Sequence, residues 1–346
     1  MVKTLIVGDT HFGMRGGNET FLNISYQFVD FLKKVILDND VQRVIVLGDV
    51  FDSRVSIIVK VISIVNSLFK FLEDRNIETY VILGNHDIYY RKNKTVTSLE
   101  MLENFSNVRV IRGIEEHTID GEKCIFVPWL TNQEENDKLI DTLKNNTYTF
   151  CFSHLPIQTL RMNETQKEYA GFEPDIMKSV TRVYNGHFHV RQELGNILCI
   201  GSPFQITWND YNNKKGVYII DFETKQEKFI ENVDSPCHVK VNYPDYTDDD
   251  ILLTKNAFVR VYINELKEWK DVQKVLEKIE LCHPLSLNII NQYENMDEDI
   301  QSNESLENII DVIGDYIEQK KFTDNIDKGE LLNRIKTIYN KVTKIE

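Results

Sequence analysis

The sequence has no long hydrophobic run: no stretch of about 18 uncharged apolar residues occurs in the chain. The N-terminus also lacks the basic segment followed by an apolar one that a secretory signal requires. We therefore expect a protein that neither spans a membrane nor is secreted.

Cysteine is scarce, and its spacing forms no recognisable pair. The cysteines lack any C-x-x-C motif and form an odd set of five, namely Cys124, Cys151, Cys199, Cys237 and Cys282. The first three stand in apolar, strand-like segments. This usage argues against disulfides and zinc-binding thiolates, and it is typical of reduced core residues in a cytoplasmic protein.

Positive charge is in deficit, since 40 lysines and arginines stand against 54 aspartates and glutamates, for a net charge of −14. This balance argues against a surface coated with nucleic-acid-binding lysine. It does not exclude DNA, because a local basic patch or a bound divalent cation can meet phosphates on an acidic protein. At 346 residues the chain exceeds the size of one usual core, about 250–300 residues, so we expect more than one domain.

Apolar segments that end in glycine recur through the first third of the chain. They are VKTLIVGD (2–9), RVIVLGD (43–49) and TYVILGNHD (79–87), and VRVI (108–111) is a fourth strand-like run. Apolar residues at helical spacing predict helices through 21–35 and 57–74. Strands that alternate with helices indicate an α/β fold, and open α/β sheets carry their sites just past the strands' carboxyl ends.

The pattern changes between about residues 107 and 231, where short strand-like runs accompany one helical pattern near 133–145. This succession predicts a second sheet packed on the first, and therefore a layered α/β sandwich. After residue 235 the order strand, amphipathic helix, strand predicts a small α+β domain. The acidic run DYTDDD (245–250) has the composition of a solvated connecting loop.

Two histidines in YNGHFHV (184–190) could share one target, because side chains at i and i+2 of an extended segment point the same way. Polar residues of similar type follow other apolar runs. The candidates are Asp9, His11, Asp49, Asn85, His86, His154, His187 and His189. Singly they have ordinary explanations, as helix caps, turn residues or isolated core histidines. Together, at the ends of five predicted strands, they favour a metal site.

The chemistry of these candidates narrows the metal and the reaction. Carboxylate, amide and imidazole ligands without thiolate suit Mn²⁺, Fe²⁺ or Zn²⁺ and argue against a structural cysteine-rich zinc site. The ligands are too many for one ion. Two ions about 3.5–4 Å apart, sharing a carboxylate, would use them and would clamp both oxygens of an in-line displacement at phosphorus. Phosphoester hydrolysis is the expected reaction.

The ordered motifs D-x-H, GD-x-x-D, GNHD, H and GH-x-H resemble the calcineurin-like metallophosphoesterase superfamily. Its SbcD-type (Mre-type) DNA-repair nucleases, which include the recombination endonuclease subunit of tailed phages, are the more specific resemblance. The segments that carry it are GDVFDSR (48–54), GNHD (84–87), VPW (127–129) and GSPFQ (201–205). The match is firm over about residues 1 to 230.

This resemblance implies a domain plan and a cellular setting. A layered α/β/β/α metallophosphoesterase sandwich, the nuclease domain, would occupy 1–235. A small α+β capping domain that binds DNA would occupy 236–298, and a C-terminal helical tail that binds an ATPase partner would occupy 299–346. The setting would be the cytoplasm of a bacterium or of a phage-infected host.

The resemblance also assigns roles to individual residues. One ion would be held by Asp9, His11, Asp49 and His189, and the second by Asp49, Asn85, His154 and His187. Asp49 would bridge the two ions, and the two histidines of GHFH would each serve a different ion. Mn²⁺ is the expected metal, with Mg²⁺ as the alternative.

His86 matches the catalytic histidine of the family, although a purely structural role is the other interpretation. Asp52 stands at a position where many SbcD-type nucleases have histidine. The related phosphatases have aspartate there, as this chain does, and in them the aspartate holds the catalytic histidine. We therefore expect the Asp52 carboxylate to pair with His86 and keep it protonated.

Two other segments bear on partners. Residues 305–317 and 327–345 carry apolar stripes at helical spacing, which predict helices that pack on each other, on the cap, or on a partner. The resemblance favours docking onto the coiled-coil root of an SMC-like (SbcC-type) ATPase, and it is compatible with a homodimer. YYRKNK (89–94) is either a phosphate-contact loop for DNA ends and for double- or single-stranded DNA, or a solvated basic loop.

Three functions remain open from the sequence. The favoured one is a two-metal DNA exonuclease or endonuclease, the nuclease subunit of a recombination and double-strand-break repair complex. The second is a metal-dependent phosphoprotein phosphatase, which the aspartate at position 52 supports. Phosphatases of this kind usually have D-R-G and GNHE, whereas this chain has GDVFDSR and GNHD, which argues against that function. The third, a non-enzymatic scaffold that recruits the ATPase, is disfavoured by the complete ligand set.

Overall fold

The computed structural model describes residues 2–162, 167–168, 170–265 and 269–292, together with Arg334. Contacts divide the chain into two units, Met1–Ile290 and Asn291–Glu346. Within the described residues, no helix is both long and apolar enough to cross a bilayer. The predicted helices at 305–317 and 327–345 lie outside the described residues, apart from Arg334.

The strands of the described segments, in chain order, are β1 (Lys3–Val7), β2 (Val41–Val46), β3 (Glu78–Ile82), β4 (Val108–Ile111), β5 (Glu115–Ile119), β6 (Glu122–Val127), β7 (Tyr148–Ser153), β8 (Val180–Asn185), β9 (Gln192–Leu194), β10 (Ile197–Cys199), β11 (Gly216–Asp221), β12 (Glu227–Glu231), β13 (His238–Tyr243), β14 (Phe258–Ile263) and β15 (Ser286–Asn291). The α-helices are α1 (Met14–Gly17), α2 (Glu19–Asp38), α3 (Val59–Asp74), α4 (Gln133–Asn145), α5 (Asp248–Leu252) and α6 (Trp269–Leu281). Short 3₁₀ helices span Ser98–Asn104, Pro174–Ser179 and Trp208–Asp210.

Two six-stranded sheets form the core. Their strand orders are β12-β11-β1-β2-β3-β4 and β5-β6-β7-β8-β10-β9. Consecutive buried residues of β1 show how the layers are made: Leu5 and Val7 pack under α2 and α3, whereas Ile6 faces the second sheet. The opposite face of the second sheet packs on α4 through Leu139 and Leu143. The predicted α/β/β/α sandwich is therefore confirmed.

The helices form where the sequence favours them. Asn18 caps the N-terminus of α2, because its side chain accepts a hydrogen bond from the Phe21 N–H. Apolar residues at helical spacing in α2 and α3 give each helix one buried face. In the chain, α2 connects β1 to β2 and α3 connects β2 to β3. The three strands are therefore parallel, and their carboxyl ends lie at one edge of the sheet.

One expectation about the sheets was wrong. We expected β11 and β12 in the second sheet, but β11 pairs antiparallel with β1 and β12 pairs with β11. β1 is buried on both faces and lies inside its sheet, so it needs hydrogen-bonding neighbours on both sides, and β2 supplies only one. An apolar run predicts a strand but does not say which neighbour it pairs with.

The strand, helix, strand order after residue 235 is confirmed as β14, α6 and β15. The two strands form a three-stranded sheet with β13. The acidic run at 245–250 is only partly a loop. Thr247 caps α5 through a capping box with Asp250, so the run's second half is helical. This sheet touches the core where Phe258 stacks on Phe21, with ring centroids 5.4 Å apart. The domain boundaries at 235 and 298 remain predictions.

Candidate metal centre

All seven predicted ligands lie at one edge of the sandwich, past the carboxyl ends of strands from both sheets. Asp9 follows β1, Asp49 follows β2 and Asn85 follows β3. His154 follows β7, and both histidines of GHFH follow β8. The parallel pairing of these strands within each sheet brings their ends together, as the sequence predicted.

One group is formed by Asp9, His11 and His189, whose ligand atoms lie within 4.8 Å of one another. The Nε2 atoms of the two histidines are 3.1 Å apart. All three side chains are buried or nearly so. This group corresponds to three of the four residues expected at the first ion.

A second group surrounds Asn85. His154 Nε2 lies 3.1 Å and His187 Nδ1 3.0 Å from Asn85 Oδ1. Asp49 stands between the two groups, because its Oδ2 is 3.5 Å from His154 Nε2 and 3.6 Å from His11 Nε2. One carboxylate thus reaches both groups, which is the position of a bridging ligand.

The groups fit divalent cations because acceptor atoms of several side chains converge there. His154 Nδ1 lies 2.7 Å from the Leu47 carbonyl oxygen and must donate to it, so a neutral His154 presents the lone pair of Nε2. That lone pair faces the oxygens of Asn85 and Asp49. Asp9 Oδ2 is also buried and has no hydrogen-bond partner. A bound cation would satisfy all these acceptors at once.

The electrostatics favour the ligand forms of some groups and oppose those of others. Although burial lowers the pKa of His154, the carboxylates of Asp49 and Asp9 raise it to about 9, so a cation bound here would displace a proton from this imidazole. Burial lowers the pKa values of His187 and His189 to about 3, so both imidazoles are neutral at pH 7 and can offer lone pairs. Burial raises the pKa of Asp9 to about 6, with Asp49 adding to the effect. Asp49 is opposed by burial but lies beside His154 and His11, which hold its pKa below the usual range.

The backbone at the site is conformationally unusual. His11, Asp49 and His187 have φ values of 42°, 47° and 72°, in the left-handed region that non-glycine residues rarely adopt. Hydrogen bonds between the turns hold these conformations. Asp9 Oδ1 accepts one from the His187 N–H at 3.1 Å, and the His11 N–H donates one to the Asp49 carbonyl oxygen at 3.0 Å. Such residues persist only where the surroundings fix them, and they cluster at functional sites.

Gly84 shows how tightly the turns are packed. A Cβ atom at this position would lie 2.2 Å from both the backbone nitrogen and Oδ1 of Asp49. Only glycine allows the turn after β3 to approach the carboxylate this closely.

Comparison with known proteins identifies the family. A family model of the calcineurin-like phosphoesterases matches residues 2–191, which is more than half of the chain. The chain belongs to the calcineurin-like phosphoesterase family.

Two relatives refine the comparison. The chain is 28% identical to exonuclease subunit 1 of Enterobacteria phage T4 over 352 residues, which span 99% of this chain and 100% of the relative. It is 25% identical to the DNA double-strand break repair protein Mre11 of Methanocaldococcus jannaschii, over 79% of this chain and 75% of the relative. The resemblance to SbcD-type and Mre-type nucleases is thereby confirmed.

In this calcineurin-like phosphoesterase, Asp52 does not meet His86 in the expected way. His86 Nδ1 lies 2.7 Å from the main-chain carbonyl oxygen of Asp52. The Asp52 carboxylate instead faces His11, with Oδ1 3.4 Å from His11 Nδ1. The expectation that the carboxylate pairs with His86 was therefore wrong. The side chain turns instead to the buried His11, whose ring centroid lies 4.8 Å from that of His86.

One residue that holds the phosphoesterase site together was not among those predicted from the sequence. Asp87, the last residue of GNHD, is buried and accepts hydrogen bonds from the N–H groups of Val50, Phe51 and Gly84. These bonds tie the turn after β2 to the turn after β3, and so fix Asp49 relative to Asn85. The position of Asp87 inside GNHD was a signal that could have identified it.

The loop after GNHD offers fewer free cations than the sequence indicated. The Lys94 side chain is only 11% exposed, and its Nζ lies 2.7 Å from Glu135 Oε1, so its positive charge is already paired. Arg91 and Lys92 are exposed, as are the paired rings of Tyr89 and Tyr90. Near the site, Trp129 of the VPW motif packs against His187, with ring centroids 5.1 Å apart.

Proposed function

We propose that this calcineurin-like phosphoesterase is a two-metal DNA phosphodiesterase, with Mn²⁺ as the preferred ion and Mg²⁺ as the alternative. The observation that carries the proposal is the position of the Asp49 carboxylate between two groups of ligands, 3.6 Å and 3.5 Å from the facing histidine nitrogens. Together with Asp49, one ion would be bound by Asp9, His11 and His189. The other would be bound by Asp49, Asn85, His154 and His187.

Ions held by these groups would polarise a phosphoryl oxygen and make water nucleophilic at neutral pH. The protein's own contribution to the reaction is proton transfer. His86 Nδ1 donates to the Asp52 carbonyl, which fixes the ring and leaves Nε2 to carry a proton to the substrate. As the bond from water oxygen to phosphorus forms, the attacking water gives up a proton to solvent. As the bond from phosphorus to the sugar oxygen breaks, that leaving oxygen takes the proton from His86, which solvent then restores.

DNA is the favoured substrate because one relative is named a DNA double-strand break repair protein and the other an exonuclease subunit. Arg91 and Lys92, exposed on the loop that follows His86, would contact phosphates on this otherwise acidic chain. We further propose that the chain acts in the cytoplasm as the nuclease subunit of a repair complex, and that residues 299–346 bind a coiled-coil ATPase.

Purified protein with Mn²⁺ tests the substrate. Linear duplex DNA, single-stranded DNA and a phosphopeptide are compared at equal phosphoester concentration, with His86→Gln as the control for contaminating enzymes. The proposal predicts hydrolysis of DNA that requires Mn²⁺ and is lost in the variant. Hydrolysis of the phosphopeptide alone would establish a phosphatase instead, and inactivity on every substrate would leave the scaffold role.

A further inference from the structure

A buried ion pair lies directly behind His189. Lys215 Nζ is 2.6 Å from Asp210 Oδ1, and the two side chains are 3% and 0% exposed. The same ammonium donates to the His189 carbonyl oxygen and, at 3.1 Å, to Ser202 Oγ. Three acceptors surround one buried lysine, so its donors are fully engaged by the protein.

The other half of the pair is equally fixed. Asp210 Oδ2 accepts hydrogen bonds from the N–H groups of Ile206 and Thr207, both at 2.9 Å. Asp210 ends the 3₁₀ helix Trp208–Asp210, so the ion pair anchors the segment 206–210 to the loop that carries His189. The pair supplies strong donors beside the metal centre without adding net charge, because each partner neutralises the other.

His189 needs this support because it lies in a loop. It follows the end of β8 by four residues and precedes β9, so no strand fixes its main chain. Its carbonyl oxygen accepts from both Lys215 and the Ser202 N–H, the latter at 3.1 Å. A Cβ atom on Gly201 would lie 2.8 Å from the same oxygen, so the loop also fits closely against its neighbour. His154, in contrast, is oriented through its own ring nitrogen.

We propose that Lys215, locked to Asp210, is a positioning residue that fixes the main chain at His189 and thereby sets the affinity of the ion held by Asp9, His11 and His189. The inference rests on the proposed two-metal function. Its action is through His189, so it concerns one ion of the two.

The test uses the full chain and measures Mn²⁺ binding by calorimetry, with bound ions counted by electron paramagnetic resonance. The main variant is Lys215→Met with Asp210→Asn, which removes the ion pair without changing net charge and leaves no buried charge unpaired. Lys214→Met is the matched control, because the neighbouring Lys214 forms an exposed pair with Glu231. A cooperative thermal transition shows that each variant is folded.

The double variant should bind one Mn²⁺ about 10–100-fold more weakly, as expected for loss of a group that orients a metal ligand, and the other with unchanged affinity. In a His189→Ala background the same double change should alter nothing further, because the residue through which it acts is gone. Lys214→Met should bind both ions as the wild type does.

Two results would overturn the inference. Unchanged affinity for both ions in the double variant would show that the ion pair does not position His189. Equal weakening of both ions would show a general loosening of the fold. Failure of the wild type to bind two ions is a separate outcome, since it would contradict the proposed function itself.

Discussion

Replacing Asp52 with asparagine removes one negative charge beside His11 and leaves the shape of the side chain unchanged. In the structure this carboxylate lies 3.4 Å from His11 Nδ1, on the ring edge away from the Nε2 atom that faces Asp49. Carboxylates in this position orient a metal-binding histidine and increase its basicity. We therefore expect Asp52→Asn to weaken metal binding through His11, and not proton transfer by His86.

The structure also bounds the magnitude. Loss of a carboxylate that supports a metal-binding histidine typically costs 10–100-fold in affinity, or roughly 1.4–2.7 kcal/mol. The Asp52 side chain is 35% exposed, so solvent screens its charge and the effect should fall near tenfold. Partial burial opposes ionisation, yet His11 holds the pKa of Asp52 below its usual range, so the charge is present at neutral pH.

The assay is the Mn²⁺ dependence of DNA hydrolysis. Asp52→Asn should need about tenfold more Mn²⁺ for half-maximal rate and should recover most of the wild-type rate at saturation. Asp141→Asn, which removes an exposed carboxylate from α4, is the control for charge alone. Combined with His86→Gln, the two losses should multiply at subsaturating Mn²⁺, because Asp52→Asn keeps the main-chain carbonyl that His86 contacts.

The opposite pattern would refute this reasoning. An unchanged Mn²⁺ requirement with a lower saturated rate, and a double variant no worse than His86→Gln alone, would show that Asp52 acts through His86.

Three further predictions follow from the structure. His86→Gln should retain both ions and lose turnover by about 10²–10⁴-fold, and an emptied metal site would show that His86 is a ligand. Burial lowers the pKa of His238 to about 4, below the value of about 6.5 in unfolded chains, so its stabilising effect is full above pH 6.5 and is lost as pH falls toward 4. Urea midpoints at pH 7.5 and 5 should therefore differ more for the wild type than for His238→Asn, and equal shifts would exclude the histidine as their source. Deletion from residue 300 onward should abolish co-purification with a coiled-coil ATPase while leaving DNA hydrolysis intact, and full-yield co-purification would place the docking surface elsewhere.

The elements that could be predicted from the sequence are those with strong local patterns. β1, β2 and β3 are buried apolar runs, and α2 and α3 carry apolar residues at helical spacing. β5 was not predicted, because EEHTI alternates polar and half-buried residues at the sheet edge. The pairing of β11 with β1 joins residues more than 200 positions apart, and no local pattern specifies it.

The same distinction applies to the site. Each ligand was predictable because it follows an apolar run directly, so the strand that positions it also marks it in the sequence. The support beneath the ligands was not predictable. Lys215 reaches His189 across 26 positions, and nothing near Lys215 in the sequence shows that contact. The direction of the Asp52 carboxylate depends on a rotamer choice between two neighbouring histidines, which spacing alone cannot determine.

The two-metal function depends on the bridging role of Asp49, and the number of metal ions bound per chain measures that role. Purified wild-type and Asp49→Ala proteins are equilibrated with Mn²⁺, passed through a desalting column and analysed for metal per chain, with thermal unfolding confirming that the variant is folded. A bridging Asp49 predicts two ions per wild-type chain and loss of both in Asp49→Ala, because the carboxylate stands between the two ligand groups. Two ions retained by Asp49→Ala would contradict it.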